Sequence, residues 1–398
     1  MPVARKIREA MERSSWIRRM FEEGARLKAE FGAENVFDFS LGNPNLDPPQ
    51  AFRQVLRELV EEDRPGCHGY MPNAGYPDVR EAVAAQVSRE QGVDLQGRHV
   101  IMTVGAGGAL NALFRAILEP GDEIVVPRPY FVEYNFYADN HGGVLKTVAT
   151  TEDFDLRIDA LEEAITERTR AVLVNSPNNP TGKVYSRQNL EELSALLERK
   201  SRESGRVIYL VSDEPYRKIV YDDVEVPGVL ALFPHSLVCS SYSKDLSLPG
   251  ERIGYIAVNP AVPEADVLLG ALTLTNRILG FVNAPALMQR AVGRLQGVTV
   301  DMAVYRRNRD LLYEGLREAG YECHKPEGAF YLFPRSPLAD DVAFVRELQK
   351  ENILAVPGTG FGGPGHFRLA YCCSSETVSR SMPGFGRVIG RILDKSKH

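Results

Sequence analysis

Few features of this sequence point to a disulfide framework. The five cysteines, Cys67, Cys239, Cys323, Cys372 and Cys373, are odd in number, include an adjacent pair and contain no C-x-x-C. That pattern fits a reduced, cytoplasmic compartment. Histidine is also scarce. The seven histidines show no H-E-x-x-H or other ligand spacing, which leaves a metal site without support. No run approaches the roughly 18 apolar residues of a membrane span. The N-terminal stretch is broken by charge, from Arg5 and Lys6 to Arg18 and Arg19, and so lacks the apolar segment of a signal peptide. There is no basic block suited to nucleic acid and no acidic tail; the net charge of −6 is spread with both signs interleaved. Repeats and low-complexity tracts are absent as well.

What is present is apolar bulk. With 398 residues and 44% hydrophobic content the chain can bury a large core, and two domains are expected. Ile7, Met11, Ile17, Phe21 and Leu27 recur at near-helical spacing, predicting one or two amphipathic helices over residues 4–31. A short strand is predicted over Val36–Leu41, ending in the turn Gly42-Asn43-Pro44-Asn45. Helices follow over residues 50–62 and from Asp78, read as an N-cap, to Gln91. Between them lies a loop rich in Gly, Pro and Tyr, including Tyr70. Such a loop is either functional or an ordinary connection.

From residue 99 onward the pattern is α/β. Short apolar runs at His99–Val104, Glu123–Val126, Val144–Val148, Ala171–Val174, Val207–Val211, Leu237–Cys239 and Ile253–Val258 alternate with helical stretches at Ala109–Leu118, Ile158–Ile165 and Gln188–Ser201. Six or seven strands in such a βαβ array predict a mostly parallel sheet covered by helices on both faces. Residues 261–318 read as mainly helical. Beyond Gly320 short strands (Ala329–Phe333, Ile353–Val356, His366–Tyr371) mix with helices at Val342–Gln349 and Ser375–Asp394, predicting a smaller α+β unit.

Several polar groups follow predicted strands. Gly105-Ala106-Gly107-Gly108 lies between a strand and a helix, which is either an anion site of free backbone N–H groups or a tight turn. It matches neither G-x-x-x-x-G-K-[ST] nor G-x-G-x-x-G. The aromatics Tyr130, Phe131, Tyr134, Phe136 and Tyr137 are core, or one of them stacks on a flat ring. Asn178-Asn179-Pro180-Thr181-Gly182 is a rigid turn at a strand end, where open α/β sheets bind ligands. Asp213 ends another strand as the partner of a cation or as a helix cap. Lys244 sits in a polar loop between two strands, as a surface lysine or as an amine nucleophile. Together these groups suit a flat, cationic, phosphorylated aromatic aldehyde. The helix N-terminus would hold the phosphate, Phe131 would cover the ring, and Lys244 would form an imine with the aldehyde. Asp213 would keep the pyridine nitrogen protonated, while Tyr216 and Asn179 would hydrogen-bond the ring oxygen. That molecule is pyridoxal 5'-phosphate.

Four motifs in order carry a resemblance: Asn178-Asn179-Pro180-Thr181-Gly182, Asp213-Glu214-Pro215-Tyr216, Ser241-Tyr242-Ser243-Lys244 with Arg252, and Phe367-Arg368-Leu369. Over essentially its whole length the chain resembles the class I/II aminotransferases, aspartate aminotransferase-like enzymes of pyridoxal-phosphate fold type I. The resemblance implies a mostly parallel seven-stranded sheet sandwiched by helices, plus a smaller α+β domain. It places an N-terminal arm and part of the small domain at 1–47, the cofactor domain at 48–291 and the C-terminal small domain at 292–398. It implies an exchange of an α-amino group between an L-amino acid and a 2-oxo acid by a ping-pong route. Lys244 would anchor the cofactor and shuttle a proton. Ser241 and Arg252 would join the backbone of Ala106, Gly107 and Gly108 on the phosphate. Tyr70 would reach that phosphate from the other subunit of a homodimer. Arg368 would clamp the substrate α-carboxylate, and Gly42 would lie in a loop closing over the substrate. The chain departs from the pattern in two places. Many relatives have a hydroxyl or a lysine in the phosphate turn, where this chain has Ala106-Gly107-Gly108, and Phe131 replaces the frequent Trp or Tyr. Arg277 lies in roughly the region where aspartate-specific members carry a second cation. The competing expectations are a C–S β-lyase using the same cofactor and a non-catalytic effector-binding module.

Overall fold

The computed structural model describes residues 2–12, 16–62 and 65–395. Residues 13–15, inside the helical stretch expected over 4–31, lie outside that description. On either side of them helices run over Arg5–Glu12 and Trp16–Phe31.

In chain order the strands are β1 (Phe37–Asp38), β2 (Val100–Thr103), β3 (Glu123–Arg128), β4 (Val144–Ala149), β5 (Thr169–Asn175), β6 (Tyr209–Asp213), β7 (Ser236–Ser241), β8 (Gly254–Val258), β9 (Tyr331–Leu332), β10 (Ile353–Leu354), β11 (Val356–Pro357) and β12 (Phe367–Ala370). Seven of them form one sheet in the order β2-β8-β7-β6-β5-β3-β4. Only β8 runs antiparallel to its neighbours. The unbroken apolar runs of these strands follow from burial on both faces. Val172 and Val174 enter one core, and the alternate residues Ala171 and Leu173 enter the other. The same two-residue alternation splits β6, with Leu210 facing one way and Tyr209 and Val211 the other. Each fully buried Val or Leu contributes about 1.5–3 kcal/mol. A charge in place of Val172 or Leu173 would break the sheet from inside.

A separate core lies around β9, β11 and β12, which pair antiparallel in the order β11-β12-β9. Helices Met302–Glu318, Asp341–Gln349 and Ser375–Lys395 contribute to it. The N-terminal segment joins this core rather than the large sheet. β1 pairs in parallel with β10. The Phe39 N–H donates to the Leu354 carbonyl at 2.9 Å, and the Ala370 N–H donates to the Phe39 carbonyl at 2.8 Å.

Three local expectations are corrected. Of the strand expected over Val36–Leu41, only Phe37–Asp38 forms a strand, and beyond Phe39 the chain turns away: the Ser40 N–H and hydroxyl both donate to Asp38 Oδ1. Asp78 does not cap its helix. Pro77 is the first helical residue and Tyr76 the cap, the placement that suits proline's fixed φ and missing N–H. The helix expected from Ala109 begins at Gly105, so the glycines form its first turn instead of preceding it.

Candidate functional site

Register across the sheet assembles one corner. Thr103 of β2 and Ser241 of β7 both pair with Gly254 of β8. Gly254 permits this close approach: a Cβ there would lie 2.4 Å from the Ser240 carbonyl oxygen and 2.8 Å from the carbonyl carbon of Gly105. Helix Gly105–Ile117 begins at this point, with the first-turn N–H groups of Ala106, Gly107 and Gly108 directed outward and the positive end of its dipole beside them. Gly105 has a φ of 69°, a backbone conformation that strains any side chain, and a Cβ there would lie 2.7 Å from Arg252 Nη2. Arg252 is exposed and anchored by a 2.8 Å bond from Nη1 to the Pro249 carbonyl. Ser241 is buried opposite Gly254 in the register. Free N–H groups at a helix N-terminus beside a guanidinium and a serine are a corner that can accept a phosphate.

Asp213, at the end of β6, pairs with Asn175 of β5 and Cys239 of β7 and is 5% exposed. Tyr134 donates to Asp213 Oδ2 at 2.5 Å, while Oδ1 is buried without a partner. Burial raises the carboxyl pKa to about 7; the Tyr134 bond opposes the shift and Glu214 adds to it. A buried carboxylate with one oxygen held and the other unpartnered calls for an N–H donor carrying positive charge. Phe131 is half-buried with its ring edge-on to Tyr134, centroids 5.6 Å apart.

Lys244 follows β7. Its half-buried amine donates to the Gly42 carbonyl at 2.9 Å and lies 5.9 Å from the ring centre of Tyr216 and 5.5 Å from that of Phe330. Burial lowers its pKa to about 8; Cys372 opposes the shift, and Arg368 and Arg252 add to it. An amine poised near neutrality is a usable nucleophile and base. Tyr216 is buried, and its hydroxyl shares a 2.7 Å hydrogen bond with that of Tyr331.

Arg368, in β12, is 2% exposed and forms no ion pair with any described residue. Its Nη1 donates to Asn179 Oδ1 at 3.1 Å and its Nη2 to the Ser40 carbonyl at 2.5 Å; Nε is buried without a partner. Tyr331 and Phe361 sandwich the guanidinium at 4.7 and 4.6 Å. Asn179 is held by its own N–H, which donates to Asn175 Oδ1 at 2.7 Å. The Gly182 carbonyl, in the same turn, accepts from the N–H groups of Glu327 and Gly328. These bonds join the turn to the second core and to Arg368.

Lys244, Tyr216, Asn179, Gly42 and Arg368 are therefore linked in one cluster, with Asp213 and the glycine turn along the same sheet edge. Two expected groups lie apart from it. Tyr70 is 94% exposed and has no hydrogen bond to the cluster among the described residues. Arg277 is exposed near the end of helix Ala265–Ile278. The sequence did not single out Tyr134 as the partner of Asp213, Tyr331 as the partner of Tyr216, or the Ser40 carbonyl as an acceptor for Arg368. Tyr134 stood within the aromatic cluster, but nothing in its spacing distinguished it from core.

These residues fit pyridoxal phosphate on three counts: the glycine cradle under Arg252, the unpartnered Oδ1 of Asp213 and the low-pKa amine of Lys244. Among the described residues no group of His, Cys, Asp and Glu could hold a metal ion, and no helix is long and apolar enough to cross a membrane.

Comparison with known proteins agrees with this chemistry. Residues 34–382 match the family described as aminotransferase class I and II. The chain is similar to an aspartate/prephenate aminotransferase of Thermus thermophilus, 38% identical over 88% of this chain and 90% of the relative. It is also similar to the aspartate aminotransferase of Geobacillus stearothermophilus, 30% identical over 91% and 92%. A crystal structure of an aminotransferase from Eubacterium rectale superposes with a TM-score of 0.95 at 42% identity, covering 98% of this chain and 99% of that one. The Thermus thermophilus aspartate aminotransferase with maleate superposes at 0.87 and 32%, covering 98% and 100%. These names support transamination and not the elimination alternative. The chain belongs to the class I and II aminotransferases and is a pyridoxal-phosphate-dependent aminotransferase of fold type I.

Proposed function

We propose that this aminotransferase grips the α-carboxylate of its amino-acid and 2-oxo-acid substrates through Arg368 and moves the α-proton with Lys244. One observation carries the reading: Arg368 is a fully buried cation whose partners are neutral oxygens and aromatic faces. A buried charge without a counter-ion is costly, and a carboxylate offers a guanidinium two strong parallel bonds. The substrate carboxylate takes the place of the Ser40 carbonyl.

Bound pyridoxal phosphate supplies an aldehyde and a ring that accepts electrons from a carbanion at the amino acid's Cα. The protein's residues set the conditions for this. Ala106, Gly107, Gly108, Ser241 and Arg252 hold the phosphate, and Phe131 covers a ring face. Asp213 keeps a proton on the pyridine nitrogen, with Tyr134 holding its other oxygen. Tyr216 and Asn179 hydrogen-bond the ring oxygen. Lys244 would hold the cofactor through its aldehyde and, when its amine is free, would take and return a proton at the substrate's Cα. The Gly42 carbonyl accepts a hydrogen bond from the free Lys244 amine.

The relatives' names support aspartate as donor and prephenate as an acceptor, a biosynthetic role. The exposure of Tyr70 fits a homodimer in which Tyr70 reaches the other subunit's phosphate. The separate cores, with β1 joined to β10, support a division into 1–47, 48–291 and 292–398. The cysteine pattern supports a cytoplasmic location. A panel of single half-reactions, each following loss of the lysine-bound cofactor band on adding one amino acid, tests the donor. Aspartate is expected to react fastest. Failure of every amino acid to discharge the band would overturn the proposal.

A further inference from the structure

The phosphate corner lacks something on its own strand of chain. Ala106, Gly107 and Gly108 bring no side-chain donor to the first turn of helix Gly105–Ile117. Tyr137 lies in the short helix Tyr134–Asp139, three residues beyond the tyrosine that holds Asp213 and on the same helical side. The two rings are 6.4 Å apart by centroid. The Tyr137 hydroxyl oxygen lies 3.0 Å from the position a Cβ on Gly107 would take, and Cζ lies 3.6 Å from it. The phenol therefore comes down directly over the turn. It occupies the space that a side chain at position 107 would fill, while Arg252 occupies the corresponding space over Gly105. The hydroxyl is half-buried and makes no hydrogen bond with any described residue. Burial raises its pKa to about 12, so it keeps its proton and remains a donor at neutral pH.

We infer that Tyr137 is a phosphate ligand of this enzyme, its hydroxyl donating to the cofactor phosphate the hydrogen bond that the Ala106-Gly107-Gly108 turn cannot supply from its own side chains. The inference rests on the phosphate corner proposed above. Gly107 and Tyr137 then form a matched pair: the bare glycine makes room, and a residue from another helix brings the donor. A hydrogen bond to a charged acceptor is the stronger kind, so its loss should be visible in cofactor affinity.

The test compares pyridoxal phosphate with pyridoxal, which has no phosphate, in titrations of cofactor-free protein. Tyr137→Phe keeps the ring and is expected to weaken pyridoxal phosphate about tenfold while leaving pyridoxal unchanged. Gly107→Ser in the Tyr137→Phe background is expected to recover most of that loss. The same change beside an intact Tyr137 is expected to weaken binding, because the new side chain meets the hydroxyl. Arg252→Ala separates the two levels of the argument. If Arg252→Ala selectively weakens pyridoxal phosphate and Tyr137→Phe does not, Tyr137 merely packs on Gly107 and the inference is overturned. If neither variant discriminates between the two ligands, the phosphate corner itself is misplaced and the inference falls with it.

Discussion

Along the edge of the large sheet, Gly105, Asp213, Ser241 and Lys244 each lie at a strand end or a few residues past it, and register lines them up. In the substrate half, Ser40, Gly42, Asn179, Tyr331 and Arg368 come from distant parts of the chain and meet through buried polar bonds. The groups also differ in their state. Asp213 keeps one oxygen without a partner, and the first turn of helix Gly105–Ile117 offers bare N–H groups. Arg368, by contrast, is already engaged by the Ser40 carbonyl and Asn179. A cofactor that stays bound needs a rigid receptor, and parallel strands supply one. A substrate that comes and goes needs cations kept in place between visits by neutral oxygens that a carboxylate can outcompete. The difference predicts that damage to the cofactor half is close to all-or-none, whereas damage to the substrate half is graded.

Lys244→Ala should show the largest effect: kcat falls by at least about 10⁴-fold, and the absorbance of lysine-bound cofactor disappears, as does borohydride sensitivity. A variant that kept both would remove Lys244 from the mechanism. Asp213→Asn should lower kcat by about 10³-fold yet stabilise the cofactor-free protein. The sign follows from its raised pKa. Folded protein holds a proton that unfolded chain has released between the usual carboxylate range and about 7, so stability is lost as pH rises through that window. The asparagine escapes this loss. Cofactor-free Asp213→Asn should therefore gain about 2–4 kcal/mol over the parent at pH 8 and nothing at pH 4, as read by denaturant melts. A melting profile with the same gain at both pH values would contradict the assignment.

In the substrate half, Arg368→Lys should reduce kcat/KM by about 100-fold, mainly through KM, with cofactor affinity intact. Loss of the cofactor would show that the two halves are not separable. The smallest change is Tyr331→Phe, which removes one hydrogen bond to Tyr216 and should cost kcat/KM about three- to tenfold. The same change should rescue Gly42→Ala in part, because a Cβ at position 42 would fall 2.1 Å from the Tyr331 hydroxyl. Equal damage from Gly42→Ala with and without that hydroxyl would place the clash elsewhere.

Legibility in the sequence follows the same division. The strands were readable because burial on both faces demands unbroken Val, Ile and Leu. Asp213, Lys244 and Arg252 stood out as charges set against those runs. The start of helix Gly105–Ile117 was not readable, because glycine is a poor helix former. Its position depends on the fit of Gly105 under Arg252 and beside Gly254, contacts more than a hundred residues away in the chain. Tyr134 and Tyr137 looked like core aromatics because ring spacing does not reveal where a hydroxyl points. Tyr331 was hidden in a short apolar strand for the same reason.

Local pattern alone determined the strand set, the parallel character of the sheet and the kind of chemistry at its edge, because side-chain periodicity and strand-end polarity are properties of neighbouring residues. Tertiary structure alone decided that Asp213 keeps one oxygen unpartnered, that Lys244 is depressed toward neutrality, that Arg368 is buried with no counter-ion and that Tyr137 covers Gly107. Each of these depends on desolvation and on contacts between distant segments, which no stretch of sequence contains by itself.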